Sequence, residues 1–231
     1  MSSDRVALVS RQDNPPSPFG TRRFAYTQPA RLIAQVLLGV FALGGAQAQD
    51  TLTRTERPEV KPGDQWKYEL RDKRTGAKVR DTVVAVTAVS ATQIESIENG
   101  VAKMATRDLV VLKNSRLEYD VGYRWLSFPL EVGKAWDFKT QWKRLDGTGA
   151  GSTQMDVVVK GVEKVTTKAG EFNAIRLEAK GYMNAGSGSY YNGRVVATYW
   201  YAPAAREIVK FEWQDKLDST VTELIEVQLA P

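Results

Sequence analysis

"PLEVGKAWDF", residues 129–138, repeats a pattern that the chain has already used in "EVKPGDQWKY", residues 59–68. In each copy a glycine precedes a tryptophan by three positions, and a second aromatic ring follows two positions after the tryptophan. Side chains two positions apart on a strand project from the same face, so the two rings of each copy are predicted to face one interior. These rings are Trp66 and Tyr68 in the first copy and Trp136 and Phe138 in the second. A turn and a valine-rich run follow each copy, so the pattern predicts two related β-hairpins.

The remaining sequence shows the alternation of half-buried strands, interrupted at short intervals by turn residues. Asn99-Gly100 lies between two strand-like runs, and both residues tolerate the positive φ angles of a tight hairpin turn. "DGTGAGS" at 146–152 is also typical of a turn, and residues 125–128 form a short run that is predicted as a strand. We therefore predict a single all-β, mainly antiparallel domain over residues 63–231, built as a strongly curved sheet or a half-open barrel.

Residues 1–48 have the order of an N-terminal extension and a secretory signal, with basic residues, an apolar run over residues 32–43 and small residues that end at Ala48. We predict a signal-peptide helix here, cleavage near Ala48, and a periplasmic mature protein that begins with a flexible leader over residues 49–62. The apolar run is shorter than the ~20 residues that cross a bilayer, so the mature form is predicted not to span the membrane. A pair of arginines before the run leaves twin-arginine export open as an alternative to general secretion.

The composition excludes several kinds of chemistry. The 231 residues include no cysteine and no histidine, so disulfides, lipid attachment through cysteine, a Ser-His-Asp triad and His-ligated zinc cannot be built. Residues 1–48 contain five arginines and two aspartates, which leaves residues 49–231 with a net charge of +2. Nucleic-acid binding is not predicted at so small a charge. Because no carboxylate pair or metal motif stands out, we predict that the protein is not an enzyme and has no catalytic residue, metal or cofactor.

Large aromatic residues are the main candidates for a binding function, because each ring brings upward of ~150 Å² of surface. Core packing of a curved sheet is the alternative role for every one of them. The candidates for contact with a ligand are Trp66, Tyr68, Trp125, Trp136, Phe138, Tyr199 and Tyr201. In "YWYAP", residues 199–203, successive rings alternate in direction, so Trp200 or its two neighbours must point outward. The outward surface is then covered by another element or left for a ligand.

Several motifs resemble a family of exported bacterial all-β domains of unknown function, which is grouped by fold with the lipoprotein carriers LolA and LolB. The motifs are "FPLEVGKAW" at 128–136, "VEKVTTKAGEFNAIRLE" at 162–178, "YWYAP" at 199–203 and "IVKFEW" at 208–213, within a similarity over about residues 60–229. The resemblance implies a curved antiparallel sheet around an apolar interior, with no established catalytic residues. Family members often place a glycine soon after the proline of "YWYAP", whereas this chain has Ala204-Ala205-Arg206.

Export, the number of rings and the resemblance together favour a periplasmic binding module whose concave sheet holds an apolar small molecule such as a lipid or an acyl chain. One alternative is a structural or assembly factor that contacts another envelope protein through sheet edges or an exposed ring such as Trp200. The other is a carbohydrate-binding module with a flat row of outward rings. An open apolar cavity would favour the first interpretation, a filled barrel the assembly factor, and solvent-facing rings the binding of sugars.

Overall fold

The computed structural model describes residues 54–186 and 192–231, and these residues confirm the all-β, mainly antiparallel fold. The predicted signal-peptide helix and the first residues of the leader lie outside the described ranges. Within those ranges the chain forms fourteen strands and one 3-10 helix, Pro203–Ala205. The strands are β1 (Arg54–Thr55), β2 (Gln65–Asp72), β3 (Lys78–Val89), β4 (Gln93–Glu98), β5 (Val101–Thr106), β6 (Val111–Lys113), β7 (Leu117–Tyr123), β8 (Leu130–Glu131), β9 (Ala135–Arg144), β10 (Ala150–Thr167), β11 (Gly170–Ala185), β12 (Asn192–Ala202), β13 (Glu207–Gln214) and β14 (Ser219–Gln228).

Twelve of these strands form one closed barrel, in the order β10, β11, β12, β13, β14, β2, β3, β4, β5, β6, β7 and β9, with β9 also paired to β10. The predicted sheet curves far enough to close rather than remaining half-open. A short seam completes the closure, because Leu117–Tyr119 of β7 pair with β9. Strands β1 and β8 form a separate two-stranded sheet.

The two copies of the repeated pattern form matching hairpins, β2–β3 and β9–β10. Gly63 and Gly133 both have a positive φ, +94° and +86°, which is strained for residues other than glycine. The Gly63 N–H donates to the Val86 carbonyl at 3.0 Å, and the Gly133 N–H donates to the Val159 carbonyl at 2.9 Å. Each valine N–H donates back to the carbonyl of the residue after the glycine, at 2.9 Å in both copies. The glycine therefore fixes the start of each hairpin.

The antiparallel order places alternate connections at opposite ends of the barrel. One end, which we call the mouth, carries the turns at 73–77, 99–100, 114–116, 145–149 and 215–218. The other end, which we call the closed end, carries the connection between β7 and β9 and the 3-10 helix between β12 and β13. The turns predicted from Asn99-Gly100 and from "DGTGAGS" are confirmed, and both lie at the mouth.

The strand predicted for residues 125–128 is wrong, because this segment folds into the closed end of the barrel as an irregular loop. Side chains, rather than a neighbouring strand, satisfy its carbonyl groups. The Tyr199 hydroxyl donates to the Trp125 carbonyl at 2.6 Å, and the Lys134 ammonium donates to two further carbonyls of the loop at 2.6 and 2.8 Å. The neighbouring Leu126 is buried. The apolar run that looked like a strand is therefore part of the core.

The structure describes part of the predicted leader, from residue 54 onward. Arg54–Thr55 form a short ladder with Leu130–Glu131, and the side chain of Val60 is buried in the core. This segment is attached to the domain mainly through the short ladder and the Val60 side chain. So small an attachment leaves no apolar periodicity in the sequence from which it could be predicted. None of the described residues belongs to a helix that is long and apolar enough to cross a membrane.

A buried carboxylate, Asp64, joins three parts of the closed end. Its oxygens accept hydrogen bonds from the backbone N–H groups of Lys61 and Ala230, at 3.0 and 2.8 Å. The Arg206 guanidinium donates to both oxygens at 2.9 Å. Arg206 has a φ of 57°, in the left-handed region that favours glycine. The ion pair with Asp64 therefore holds the turn after "YWYAP" in a geometry that elsewhere calls for glycine.

We expect Asp64→Ala to lower the free energy of unfolding by about 3–5 kcal/mol, because it leaves Arg206 without its partner. Asp64→Asn keeps one acceptor oxygen and should cost less. Denaturant unfolding measures both variants against Asp137→Ala, which removes an exposed carboxylate on β9 and should change stability by less than about 0.5 kcal/mol. A similarly small loss for Asp64→Ala would contradict the role of this carboxylate.

The turn of the β10–β11 hairpin is attached to the outside of β2 through Glu69. This carboxylate is largely buried and accepts hydrogen bonds from the Lys168 ammonium at 2.8 Å and the Arg71 guanidinium at 2.6 Å. These two bonds lower the pKa of Glu69 from 4.5 to about 2. The unfolded chain therefore takes up a proton at a higher pH than the folded chain does.

The attachment predicts a defined pH dependence. Its contribution to stability is fully present above about pH 4.5 and is lost as the pH falls towards about 2. We expect Glu69→Gln to lower the melting temperature at pH 7, and we expect the difference from the wild-type protein to shrink between these two pH values. Thermal unfolding followed by circular dichroism measures the difference. An equal difference at pH 7 and near pH 2 would rule out the ionised Glu69 as its source.

Candidate functional site

The barrel interior holds a cavity of about 310 Å³ between the closed end and the mouth. Its walls are largely apolar and come mainly from β2, β3, β13 and the loop that contains Trp125. A second space of about 480 Å³ adjoins it, and a third of about 480 Å³ lies among the mouth turns. The first two share the lining residues Leu70, Arg80, Val111, Trp125, Phe211 and Thr222. The interior therefore stays open from Trp66 towards the mouth.

Trp125 forms the centre of an aromatic cluster at the floor of this space. Its ring contacts five others, mostly edge to face, which is a favoured geometry for aromatic pairs. The partners, with the distances between ring centres, are Tyr123 (4.6 Å), Phe138 (6.4 Å), Tyr199 (5.2 Å), Phe211 (4.9 Å) and Trp213 (6.4 Å). Because the tryptophan is held on several sides, its position at the floor is fixed by packing.

Two of the predicted site residues, Trp66 and Tyr68, line the cavity from β2. The Trp66 indole N–H donates to the Ala205 carbonyl at 2.7 Å, so its polar atom is satisfied at the closed end. Burial raises the pKa of the Tyr68 hydroxyl well above its ordinary value, and the charges of Glu207 and Glu98 add to the effect. Tyr68 therefore stays neutral and presents its ring as wall surface.

The other predicted site residues lie beside the cavity rather than along it, apart from Trp125. Phe138, Tyr199 and Tyr201 are buried in the core cluster behind Trp125. Trp136 packs against the same cluster, half-buried, and its indole N–H donates to the Arg124 carbonyl at 3.2 Å. The two copies of the repeat thus contribute differently, since Trp66 and Tyr68 face the open space and Trp136 and Phe138 support the packed side.

The alternation predicted for "YWYAP" is present. Tyr199 and Tyr201 are buried in the core that contains Trp125, and Trp200 belongs to a second core cluster that includes Trp66, Val165 and Val209. The Trp200 indole N–H donates to the Glu163 carboxylate at 2.5 Å, and the Lys210 ammonium lies 5.2 Å from the centre of its ring. Other elements therefore cover Trp200.

Several residues that line the interior are not among the predicted site residues. Phe211 and Trp213 stack on one another from β13 at 6.3 Å, and Trp142 on β9 lines both spaces near the mouth. Phe211 and Trp213 are two positions apart, which predicts that they share one face of a strand. The order of the strands in the barrel is needed to show that this face lines the cavity. Arg80 also lines all three spaces, although charged residues on strands usually lie in solvent.

Carboxylates are present around the interior without forming a metal centre. Within residues 54–186 and 192–231, no group of three or more Asp and Glu side chains is arranged to hold a metal ion. Glu98 is hydrogen bonded to the Ser115 hydroxyl, and Glu207 accepts from the Ile208 N–H at 2.8 Å. The largely apolar first cavity therefore carries one carboxylate at the mouth, Glu98, and one at the closed end, Glu207.

Two solved structures share this architecture. One, provisionally described as an exported protein with a YmcC-like fold from Bacteroides fragilis, superposes with a TM-score of 0.54 at 14% identity, over 75% of this chain and 99% of its own. The other, provisionally described as a lipoprotein from Parabacteroides distasonis, gives a TM-score of 0.50 at 13% identity, over 75% of this chain and 99% of its own. At such identity the likeness shows the fold alone. No protein-family profile and no curated protein sequence matches the chain.

The two buried tyrosines of β12 provide a matched test of how the floor is held. Tyr199→Phe removes the donor to the Trp125 carbonyl and should lower the free energy of unfolding by about 1–3 kcal/mol. The Tyr201 hydroxyl is buried without a hydrogen-bond partner among the described residues. Tyr201→Phe should therefore be neutral or stabilising. Denaturant unfolding compares them, and equal losses for both variants would show that the Tyr199 bond does not hold the loop.

Proposed function

We propose that the protein is a non-catalytic periplasmic binding module that takes the apolar chain of an envelope lipid, or of a similar amphiphile, into its barrel. The observation that carries the proposal is the open apolar interior, walled by Trp66, Tyr68 and Trp125 and continued towards the mouth. The first cavity alone, at about 310 Å³, lies within the range of ~300–1,000 Å³ that is usual for small-molecule sites.

Burial of methylene groups would supply the driving force. Each methylene removed from water contributes about 0.8 kcal/mol, so about ten would contribute about 8 kcal/mol before the cost of association. The chamber runs along the barrel, from Trp66 near the closed end to the mouth turns, and this shape suits an extended chain. Fixed aromatic walls lower the cost of binding further, since few side chains need to be ordered.

A location in the cell envelope is supported by the secretory-signal order of residues 1–48 and by the fold shared with a protein described as exported. The sequence resemblance to a family grouped with LolA and LolB also favours an apolar ligand. Fold analogy does not establish a function, however. The proposal therefore depends on the chamber and on the measurement of a ligand inside it.

The chamber favours this function over the two alternatives. Binding of sugars calls for a flat row of solvent-facing rings, whereas Trp66, Trp125 and Tyr199 face the interior and Trp200 is covered. A filled barrel would favour an assembly factor, whereas this interior is open. We therefore place contact with a second envelope protein behind the binding of an apolar molecule.

A titration with cis-parinaric acid, a fluorescent fatty acid, tests the proposal on the full-length protein. We expect saturable binding with a Kd of about 10 μM or tighter. Thr222 lines both adjoining spaces, so Thr222→Phe should fill the chamber and weaken binding by at least about tenfold. Val221→Phe adds the same ring on the opposite face of β14 and should leave the affinity unchanged.

Two results would overturn the proposal. One is the lack of saturable binding together with native mass spectra that show no lipid after purification under mild conditions. The other is an equal effect of Thr222→Phe and Val221→Phe, which would place the probe outside the barrel.

A further inference from the structure

Arg80 is an inward-facing cation at the mouth end of β3. It pairs with Leu70 of β2, and the alternate residues Thr82 and Val84 of its own strand line the cavity with it. Its guanidinium makes no hydrogen bond or ion pair with any residue that the structure describes. Arginine stays charged at all physiological pH values and offers donors in a fixed fork. An unpaired guanidinium over an apolar chamber is therefore a free site for an oxyanion.

Two more arginines stand at the same opening. Arg116, in the turn between β6 and β7, and Arg144, at the end of β9, both line the space among the mouth turns. Neither guanidinium has a hydrogen bond or an ion pair in the described parts of the chain, and Arg144 acts on Asp146 only through its charge at longer range. The planar fork of arginine matches a carboxylate or a phosphate. Three such forks at one opening favour an anion.

Carboxylates at the opening do not cancel this preference, because most are already engaged. Glu98 bonds to the Ser115 hydroxyl. Asp215 accepts from the Trp213 indole N–H at 2.8 Å and from two backbone N–H groups of its own turn at 2.7 and 2.8 Å. Asp218 is exposed and lines both spaces near the mouth, so it is the carboxylate there that faces the three arginines without a hydrogen bond of its own among the described residues. The hydrogen-bonding capacity left at the mouth is thus mainly that of donors.

A buried donor provides an independent sign of a missing acceptor. Trp142 lines both spaces near the mouth and is only 8% exposed, and its indole N–H has no hydrogen-bond partner among the described residues. A buried donor without a partner costs about 1–3 kcal/mol, and native structures rarely leave one. A ligand oxygen near the opening would satisfy it.

We infer that the mouth recognises an oxyanionic head, a carboxylate or a phosphate, so that the bound molecule is an anionic amphiphile. The inference rests on the proposed function, since it takes the apolar chain to lie inside the barrel. The head engages Arg80 with Arg116 and Arg144, and the chain runs past Leu70 and Phe211 towards Trp125. One molecule thereby pairs the free donors and fills the chamber.

A series of twelve-carbon ligands with different heads tests the inference by displacement of 1-aminoanthracene, a neutral probe, from the full-length protein. We expect dodecanoate and dodecyl phosphate to bind about tenfold more tightly than dodecanol at low salt, and the advantage to shrink as added salt screens the exposed charges. Dodecyltrimethylammonium should bind no better than dodecanol. Equal affinities for the anions and the alcohol would overturn the inference.

A pair of variants assigns the preference to the mouth. Arg80→Met keeps the apolar stem but removes the charge, so it should weaken dodecanoate binding by roughly three- to tenfold and leave dodecanol unchanged. Lys139→Met removes an exposed cation from the outward face of β9, one with no ion pair among the described residues, and should change neither affinity. If Arg80 only covers apolar surface with its stem, Arg80→Met will leave the selectivity intact, and the inference is wrong.

The outcomes separate this inference from the proposed function. If dodecanol and dodecanoate bind equally, the barrel holds an apolar chain and the headgroup assignment fails alone. If no twelve-carbon ligand displaces the probe, both fail. Inorganic phosphate tests whether the mouth binds a free anion. If inorganic phosphate competes with dodecyl phosphate only at a far higher concentration than that of dodecyl phosphate, the result supports an amphiphile. If it competes at an equal concentration, the mouth is a site for free phosphate and the inference is overturned.

Discussion

The open interior depends on one irregular loop whose carbonyl groups are satisfied by side chains from the barrel wall. Tyr199 supplies one donor and Lys134 supplies two, so the loop turns inward without a partner strand. Burial lowers the pKa of the Lys134 ammonium, which makes its two bonds to the loop. Because a buried carbonyl without a donor is costly, these bonds determine where the loop can lie. Trp125 is carried by this loop and becomes the floor of the chamber.

The parts of the fold that could be predicted are local. The pattern of glycine, tryptophan and valine specifies each hairpin through backbone bonds within that hairpin, from the glycine to a valine on the returning strand. Both hairpins form as expected. Closure of the barrel could not be predicted, because it depends on the pairing of β7 with β9 after a connection that leaves the sheet. The segment 125–128 was mistaken for a strand for a related reason, since a buried loop and a buried strand have the same apolar composition.

The site was predictable in residue type more than in position. Trp66 and Trp136 occupy equivalent places in the repeat, yet only Trp66 lines the cavity, because its hairpin borders the open side of the barrel. The number of aromatic residues indicated a binding surface. It could not distinguish rings that line the cavity from rings that pack in the core behind it. Arg80 escaped notice because a charge on a strand usually lies in solvent. Only the register with Leu70 shows that it faces inward.

Three features that favour a ligand occur together on one side of the barrel. The side formed by β10, β11 and β12 is filled, with Met155, Leu177 and Tyr199 fully buried, whereas the side formed by β2, β3 and β13 keeps a chamber that larger side chains could fill. Arg80 has no hydrogen-bond or ion-pair partner among the described residues, and the buried Trp142 indole N–H has no acceptor among them. The open chamber and the unsatisfied indole N–H each cost stability, and sequences usually retain such costs where function requires them. Arg80 is exposed and leaves its donors available. A chain with an anionic head would meet all three at once, since the chain supplies the missing apolar contacts and the head supplies the missing acceptor.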